Sequence, residues 1–255
     1  MNENRDRLVS GYPKTGRTWL RFMLGNALVD HYSLGLELDL TNIYSIISND
    51  KLGRLPDQPT FAYEGIVPKI EMSHLLYSSP LHSHVNTIFL TRDPRDVMVS
   101  HWLHNKYQRH SFGGNLSEFI TNPNVGINAF LRHLNSWAPH IHEEQVVTYE
   151  SMRFNPVDAL RKVIDRFRLS IPENTIIDAV EQSDIDTMRE KEVNQGIAGH
   201  MYDRTNPNAL RVRRGVVGGY VNYFSVTDET FIKGRILDID KASQDVIKLT
   251  GYEAR

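Results

Sequence analysis

A glycine-framed loop near the N-terminus is the first stretch whose residue types and spacing could do chemistry. Gly11 and Gly16 have the spacing of the phosphate-binding motif G-x-x-x-x-G-K-[ST], and Thr18 takes the place of its hydroxyl residue. Arg17 stands where that motif has lysine, and a lysine lies inside the loop instead, as Lys14. A strand–loop–helix turn directs backbone N–H groups and a helix N-terminus at an anion. The loop therefore predicts a site for a phosphorylated nucleotide, but one unlike that of an ATPase.

Two side chains of this loop have the most to contribute. Lys14 is a compact point charge that can follow a leaving or bridging oxygen during group transfer. Trp19 could offer a stacking face to a purine or could equally be a core aromatic residue. The residues themselves leave both interpretations of Trp19 open.

Three further stretches carry residues suited to anion binding or proton transfer. Arg92 ends an apolar strand pattern and Ser100 lies on the next helix, so a guanidinium and a hydroxyl could hold one phosphate. A basic turn, 213–215, ends in glycine. His74 follows a strand pattern, and its near-neutral pKa would suit it to take a proton from a hydroxyl. Each is weak evidence alone, because Arg–Asp pairs often start helices and most lone histidines, of the 11 here, are structural.

Overall composition limits the classes of partner. The chain has 255 residues, enough for one sizeable α/β domain, with 29 basic residues against 31 acidic ones. This balance gives no global attraction to nucleic acid or to an anionic membrane, so an anion site must come from local clustering. The absence of cysteine excludes disulfides, thiolate metal sites and a cysteine nucleophile.

The sequence shows no targeting or membrane segment. Residues 1–7 are polar and charged, unlike a signal peptide or a membrane anchor. No apolar run approaches the roughly 20 residues that span a bilayer. We therefore expect a cytoplasmic protein with one domain over residues 1–255.

The elements that must position these residues alternate along the chain. Strand patterns cover Arg7–Ser10, Phe61–Tyr63, Val85–Thr91 and Gln145–Tyr149, and helical patterns cover Thr18–Asp30, Arg95–Tyr107 and Asn155–Phe167. Such alternation predicts an α/β fold, a single domain whose central parallel sheet is flanked by helices. In such sheets ligands bind beyond the carboxyl ends of the strands, where the Lys14 loop and Arg92 lie.

The segment Glu190–Gly219 differs from the rest of the chain. It contains five glycines and one proline, shows little periodicity, and carries four arginines between Arg204 and Arg214. That length is unusual for a structureless connection, so we expect a functional lid or binding loop.

The order of these stretches resembles a known family. They read Y-P-K-[ST]-G-x-T-W, x-[ST]-H-L, R-[DN]-x-[RK]-D-V-x-V-S and R-[RK]-G-x-x-G, from about residue 7 to about residue 225. This order is similar to that of the soluble sulfotransferases, which have a P-loop nucleotide-binding architecture and use 3′-phosphoadenosine 5′-phosphosulfate (PAPS) as donor. The region of Tyr149 and Glu150, followed by Asn155 and Pro156, is also similar to the family pattern.

The resemblance implies a donor site and two catalytic residues. His74 would be the general base, and Lys14 would support the bridging oxygen as the sulfuryl group leaves. The product would be adenosine 3′,5′-bisphosphate (PAP). The implied donor contacts are Lys14, Thr15, Gly16, Arg17 and Thr18 for the 5′-phosphosulfate, Trp19, Tyr149 and Ser183 for adenine, and Arg92, Ser100, Arg213, Arg214 and Gly215 for the 3′-phosphate.

Four positions depart from the family pattern. Met72 lies where many members have a second lysine near the sulfuryl group, and Arg17 replaces a hydroxyl residue and could partly substitute for that lysine. Arg211 stands where an aromatic residue often lies against adenine. Val221 occupies a position that is usually basic in members that dimerise through the following segment, so the oligomeric state stays open.

Two other functions are compatible with a phosphate loop. Two features disfavour a P-loop kinase or NTPase with an aberrant loop. One is Arg17, and the other is that the strand pattern 87–91 is followed by Arg92 and not by an acidic metal ligand. The sulfuryl group carries a single negative charge, so a lysine and loop amides can suffice, and we expect no metal. A nucleotide-binding module without catalysis is disfavoured because Lys14 and His74 are both present.

The acceptor is the least determined part of the prediction. Several aromatic residues suggest a partly apolar pocket for a small-molecule alcohol or phenol, while a sugar hydroxyl stays open and an amine is disfavoured. These residues are Tyr32, Tyr44, Phe61, Tyr63, Tyr77 and those within Trp102–Phe112.

Overall fold

The computed structural model describes residues 7–49, 61–63, 65–197 and 199–253. The strands are β1 (Arg7–Ser10), β2 (Ser48–Asn49), β3 (Phe61–Ala62), β4 (Val67–Pro68), β5 (Ile70–Ser73), β6 (Asn86–Thr91) and β7 (Val146–Thr148). The helices are α1 (Arg17–His31), α2 (Ile43–Ile46), α3 (Ser79–His82), α4 (Pro94–Leu103), α5 (Leu116–Thr121), α6 (Ile127–Trp137), α7 (Tyr149–Phe154), α8 (Pro156–Arg166), α9 (Glu173–Glu181), α10 (Ile185–Gln195), α11 (Val226–Leu237) and α12 (Lys241–Lys248). A π-helical turn covers His104–Gln108, and 3₁₀ turns cover Ala138–His140, Glu143–Gln145 and Gly219–Asn222.

Five strands form a parallel sheet in the order β2-β5-β1-β6-β7. Side chains of the central strand alternate between its two faces. Leu8 packs with Phe89 on one face, and Val9 packs with Ile88 and Leu90 on the other. A strand buried on both faces reads as a continuous apolar run, which is why the sequence indicates β1 and β6 so clearly.

Helices cover both faces of the sheet. On the Val9 face, α1, α8 and α9 supply apolar residues to one core cluster. On the Leu8 face, α4, α6, α11 and α12 supply a second cluster. This layering confirms the predicted α/β fold with a central parallel sheet.

Most predicted elements are found, with three differences. The pattern at Phe61–Tyr63 forms a two-residue strand that pairs antiparallel with Val67–Pro68, outside the main sheet. The pattern Arg95–Tyr107 is helical but changes at His104 from α-helix to a π-helical turn. The segment predicted to be aperiodic from Glu190 is helical as far as Gln195, because α10 has few apolar residues and so little periodicity.

The described residues bear on two further expectations. None of their helices is both long and apolar enough to cross a bilayer. They also contain no group of three or more His, Cys, Asp or Glu side chains that could hold a metal ion. The expectation for residues 1–7 lies outside the described part of the chain, apart from Arg7.

Candidate active site

The predicted site residues meet at the carboxyl edge of the sheet. The Lys14 loop follows β1, His74 follows β5, Arg92 follows β6 and Tyr149 follows β7. These segments line a cavity of about 390 Å³. Its walls include most of the predicted site residues: Lys14, Gly16, Arg17, Thr18, Trp19, His74, Arg92, Ser100, Tyr149, Arg213, Arg214 and Gly215.

The loop after β1 has a backbone that only certain residues adopt without strain. Gly16 has a φ of 107°, and a Cβ there would lie 2.7 Å from Tyr149 Cδ2. Lys14 has a φ of 74°, an uncommon value for a residue with a side chain. The helix that starts at Arg17 has no acidic residue in its first turn and no side-chain cap on its N-terminal N–H groups. The loop therefore presents free amides and a helix N-terminus to an anion.

Two predicted contacts have side chains that do not line the cavity. The Thr15 hydroxyl is buried and donates to the Tyr12 carbonyl oxygen at 2.9 Å, so Thr15 stabilises the turn. The Ser183 hydroxyl donates to the Ala179 carbonyl oxygen at 2.6 Å. The Ser183 carbonyl oxygen accepts from Trp19 Nε1 at 2.8 Å. Ser183 thus fixes the Trp19 ring through its backbone, and Thr15 contributes to the site by stabilising the loop.

Lys14 points into the cavity beside three arginines. Burial lowers the pKa of Lys14 to about 7, and the positive charges of Arg211, Arg213 and Arg92 act in the same direction, against Glu192. An anion that binds here stabilises the protonated form of such a lysine, because it offsets both the desolvation of the ammonium group and its repulsion by the arginines. The electrostatics of the cavity therefore favour a negatively charged ligand at Lys14.

His74 is held by the backbone of the loop. Its Nδ1 lies 2.5 Å from the carbonyl oxygen of Gly11. A carbonyl oxygen can only accept, so Nδ1 carries the proton and Nε2 is left with a free lone pair. Protein atoms around the ring, and then the charge of Arg17, lower the pKa of His74 well below its ordinary value. His74 is therefore neutral near pH 7, with Nε2 able to accept a proton.

Arg92 and Trp19 both lie against Tyr149. The Arg92 guanidinium lies 4.0 Å from the Tyr149 ring centroid, and Trp19 meets the same ring edge-on at 5.9 Å. Arg92 donates from Nη2 to the Val216 carbonyl oxygen at 3.0 Å and to Asp96 at 3.3 Å, while its buried Nε has no partner. A buried guanidinium with an unused donor is suited to an oxyanion.

The basic turn is attached to α10 and α4. Arg189 donates to the Arg213 carbonyl oxygen at 2.6 Å, and Arg213 donates to the Tyr223 hydroxyl at 3.2 Å. Asp96 accepts from the backbone N–H of Gly218 at 2.8 Å and of Tyr220 at 2.9 Å. Gly215 has a φ of 64°, and a Cβ there would lie 2.8 Å from Ile185. The turn can therefore hold its arginines at the cavity wall in one arrangement.

Sequence reasoning missed several lining residues. Ile185 reaches the cavity from α10, and Tyr223 reaches it from just after the 3₁₀ turn Gly219–Asn222. Three histidines line it as well: His101 from α4, His104 from the π-helical turn and His200 from the segment after α10. The start of α4 offered a signal for Asp96, which lies four residues after Arg92. Nothing in the pattern around the histidines distinguished them from others.

The expected aromatic lining is largely absent from the described side chains. Tyr44 lines the cavity, but Tyr32 and Tyr63 pack against the core and Tyr77 packs on Trp137 and His140. Within Trp102–Phe112, the lining residues are His104 and Arg109. The Phe61 side chain lies outside the described part of the structure. The expectation of a partly apolar acceptor pocket therefore has little support in the lining.

Comparison with known proteins defines the class of this chain. Residues 4–236 match the model of the sulfotransferase domain family. The chain therefore belongs to the sulfotransferase family, and it is a PAPS-dependent enzyme. This assignment sets aside the P-loop kinase or NTPase.

Curated relatives match over most of their length. Sulfotransferase 1A1 of Rattus norvegicus is 25% identical over 236 residues, which cover 87% of this chain and 79% of the relative. Sulfotransferase 2A6 of Mus musculus is 24% identical over 273 residues, which cover 98% of this chain and 86% of the relative.

Solved structures show the same fold. The mouse sulfotransferase SULT7A1 complexed with PAP has a TM-score of 0.65 at 16% identity, over 97% of this chain and 90% of that one. A retinol dehydratase in a complex with retinol and PAP has a TM-score of 0.69 at 16% identity, over 94% of this chain and 83% of that one.

Proposed function

We propose that this sulfotransferase moves the sulfuryl group of PAPS to the hydroxyl of a small-molecule acceptor, with His74 as general base. The observation that carries the proposal is the contact of His74 Nδ1 with the Gly11 carbonyl oxygen, 2.5 Å long. This contact leaves Nε2 free to accept a proton in the cavity that also holds Lys14.

Two groups of cations in the cavity fit the two anionic ends of PAPS. Lys14 and the N-terminus of α1 form the first, which we assign to the 5′-phosphosulfate. Arg92, Ser100 and the turn 213–215 form the second, which we assign to the 3′-phosphate. The unused Arg92 Nε supports this assignment. PAP in the SULT7A1 and retinol dehydratase structures supports a bisphosphate ligand here as well.

The proposed transfer is an in-line displacement at sulfur. His74 Nε2 takes the proton of the acceptor hydroxyl as its oxygen forms a bond to sulfur. The bond from sulfur to the oxygen shared with the 5′-phosphate breaks, and its electron pair stays on that oxygen. Protonated Lys14 stabilises the negative charge that develops there, and the loop amides stabilise the sulfuryl oxygens.

The acceptor is proposed at the level of a hydroxyl compound. Retinol dehydratase structures contain retinol or androsterone, which are small-molecule alcohols, and this supports an alcohol or phenol. A sugar hydroxyl fits the same chemistry at His74.

Turnover of PAPS tests this proposal. The wild-type chain is expected to release PAP in the presence of alcohols and phenols, and His74→Ala is expected to lose most of that release while still binding PAP. Wild-type turnover that His74→Ala retains would remove His74 from the mechanism.

A further inference from the structure

A further basic cluster, formed by the side chains of Arg17, Arg21 and Arg211 around Tyr44, lies at the wall of the cavity. Arg21 lies with its guanidinium 4.7 Å from the Tyr44 ring centroid. Arg211 Nη1 donates to the Tyr44 hydroxyl at 3.4 Å. Arg17 and Arg211 line the cavity with Tyr44, while Arg21 is buried behind them with 2% of its surface exposed.

Every side-chain partner that the described residues provide for this cluster is uncharged. Arg21 donates to the Asn49 side-chain oxygen at 2.5 Å. Arg211 donates to Gln108 at 3.3 Å and contacts the His200 ring at 2.8 Å. Within the described part of the chain, the side chain of Arg17 has no hydrogen bond or ion pair, and no carboxylate pairs with any of the three guanidinium groups. Among the described residues that line the cavity, Asp96 is the only acidic one, and it is already bonded to Arg92 and to two backbone N–H groups.

Holding three guanidinium groups together without a counter-ion costs free energy. Burial lowers the pKa of Arg17 to about 9 and of Arg21 to about 10, and Arg211 acts on both in the same direction. Such a cost is offset when an anion binds, because guanidinium groups pair with carboxylate or phosphate oxygens in a forked geometry.

The cluster lies at the reacting end of the cavity. The charge of Arg17 acts on His74, and the charge of Arg211 acts on Lys14 and on His104. The exposed Arg109 and the ring of His200 line the same cavity and add polar surface. The anionic ends of the donor are already assigned to other groups. Lys14 and the loop amides contact the phosphosulfate, and Arg92 with the turn 213–215 contacts the 3′-phosphate.

We propose that the acceptor is an anionic hydroxyl compound, whose carboxylate or phosphate group is bound by the side chains of Arg17 and Arg211. This inference rests on the proposed function, because it assigns the acceptor of the same cavity. On this assignment the backbone N–H of Arg17 would contact the donor, and its guanidinium, which interacts electrostatically with Tyr44, would contact the acceptor. The acceptor anion then fixes the position of a hydroxyl in front of His74.

Binding of matched ligand pairs to the PAP-saturated protein tests the inference. The pairs are methyl β-glucoside with methyl β-glucuronide, 4-(hydroxymethyl)benzamide with 4-(hydroxymethyl)benzoate, and glucose with glucose 6-phosphate. Saturating PAP fills the donor site, so a second anion can bind only elsewhere. We expect the anionic member of at least one pair to bind tighter by about tenfold or more, as measured by calorimetry. A preference confined to the benzoate and glucuronide indicates a carboxylate, and one confined to glucose 6-phosphate indicates a phosphate.

Two variants test whether the cluster causes the preference for the anionic ligand. Arg211→Gln is expected to reduce this preference to less than about threefold, because the forked pair of hydrogen bonds from the guanidinium to the anion is lost. Arg132→Gln, which removes an exposed arginine outside the cavity, is expected to keep it. Three results would overturn the inference. The wild type could bind every anion no more tightly than its neutral counterpart, it could bind none of the six compounds, or Arg211→Gln could keep the full preference for the anion. Failure of PAP to bind would instead contradict the proposed function.

Discussion

The carbonyl oxygen of Gly11 and the imidazole of His74 are joined at 2.5 Å, and the N–H of Gly11 donates to the Ser73 carbonyl oxygen at 3.2 Å. The backbone that begins the phosphate loop thus also orients the proposed base. Gly11 is suited to this place because a Cβ would lie 2.5 Å from the Leu90 carbonyl oxygen. Donor loop and base therefore share one rigid junction between β1 and β5.

His74→Ala is predicted to lower kcat by about 10²–10⁴-fold with an unactivated alcohol, the usual range for loss of a general base. PAP affinity should be nearly unchanged, because His74 makes no proposed contact with the donor. A phenol of low pKa should lose less activity, since it needs less help to release its proton. The exposed His84 gives a control, and His84→Ala should behave as wild type. Retention of more than about a tenth of kcat by His74→Ala would contradict the role of base.

Lys14→Met is predicted to lower kcat by roughly 10²–10³-fold, because the charge acts on the oxygen that leaves in the transition state. Steady-state kinetics with PAPS as the varied substrate measures the effect. A rise in donor KM with unchanged kcat would show that Lys14 only binds the ground state.

The pH dependence of kcat/KM for PAPS should report Lys14 in the free enzyme. Its pKa is about 7 there, and the protonated form attracts the donor, so kcat/KM should fall as the pH rises through about 7. The donor's charge raises this pKa in the complex, so the alkaline fall in kcat should occur at higher pH. The pKa of His74 lies well below 6.5, so its neutral form persists and no loss is expected between pH 7 and 6.5. Lys14→Arg should remove the fall of kcat/KM near pH 7. If the fall persists in this variant, another group causes it.

The lid expected from the sequence covers Glu190–Gly219, of which residues 190–195 belong to α10. We predict that the remainder, 196–219, becomes less mobile when nucleotide binds. Buried Glu192 attaches it to α10 by accepting from the N–H groups of Arg211 and Val212 at 2.7 and 2.8 Å. Cleavage by trypsin near Arg204 or Arg211 should be slowed by saturating PAP and accelerated in Glu192→Ala. Equal rates with and without PAP in the wild type would contradict the lid.

The sequence predicted the parts of the site that depend on strand ends. Lys14, His74, Arg92 and Tyr149 follow apolar strands, and parallel strands bring their carboxyl ends to one edge. The Arg17–Arg21–Arg211 cluster was not predictable, because it unites a helix with a distant loop around Tyr44.

Side-chain direction was the second limit on prediction. Ser183 was placed near adenine, yet its hydroxyl turns to the Ala179 carbonyl oxygen, a choice set by packing. His104 enters the cavity from a π-helical turn, which no helical periodicity indicates. The cytoplasmic location and the single domain over 1–255 stay predictions from the sequence.

Melting curves with three nucleotides test the central claim most directly, namely that the cavity holds a 3′,5′-bisphosphorylated adenosine. PAP at 100 times its dissociation constant should stabilise the fold by about 2.7 kcal/mol. That corresponds to several degrees, at roughly 2–4 °C per kcal/mol for a domain of this size. Adenosine 5′-monophosphate should shift the melting temperature far less, because it has no 3′-phosphate to contact Arg92 and the turn 213–215. The account predicts the largest shift with PAP at equal ligand concentration, and a larger shift with Mg-ATP would contradict it.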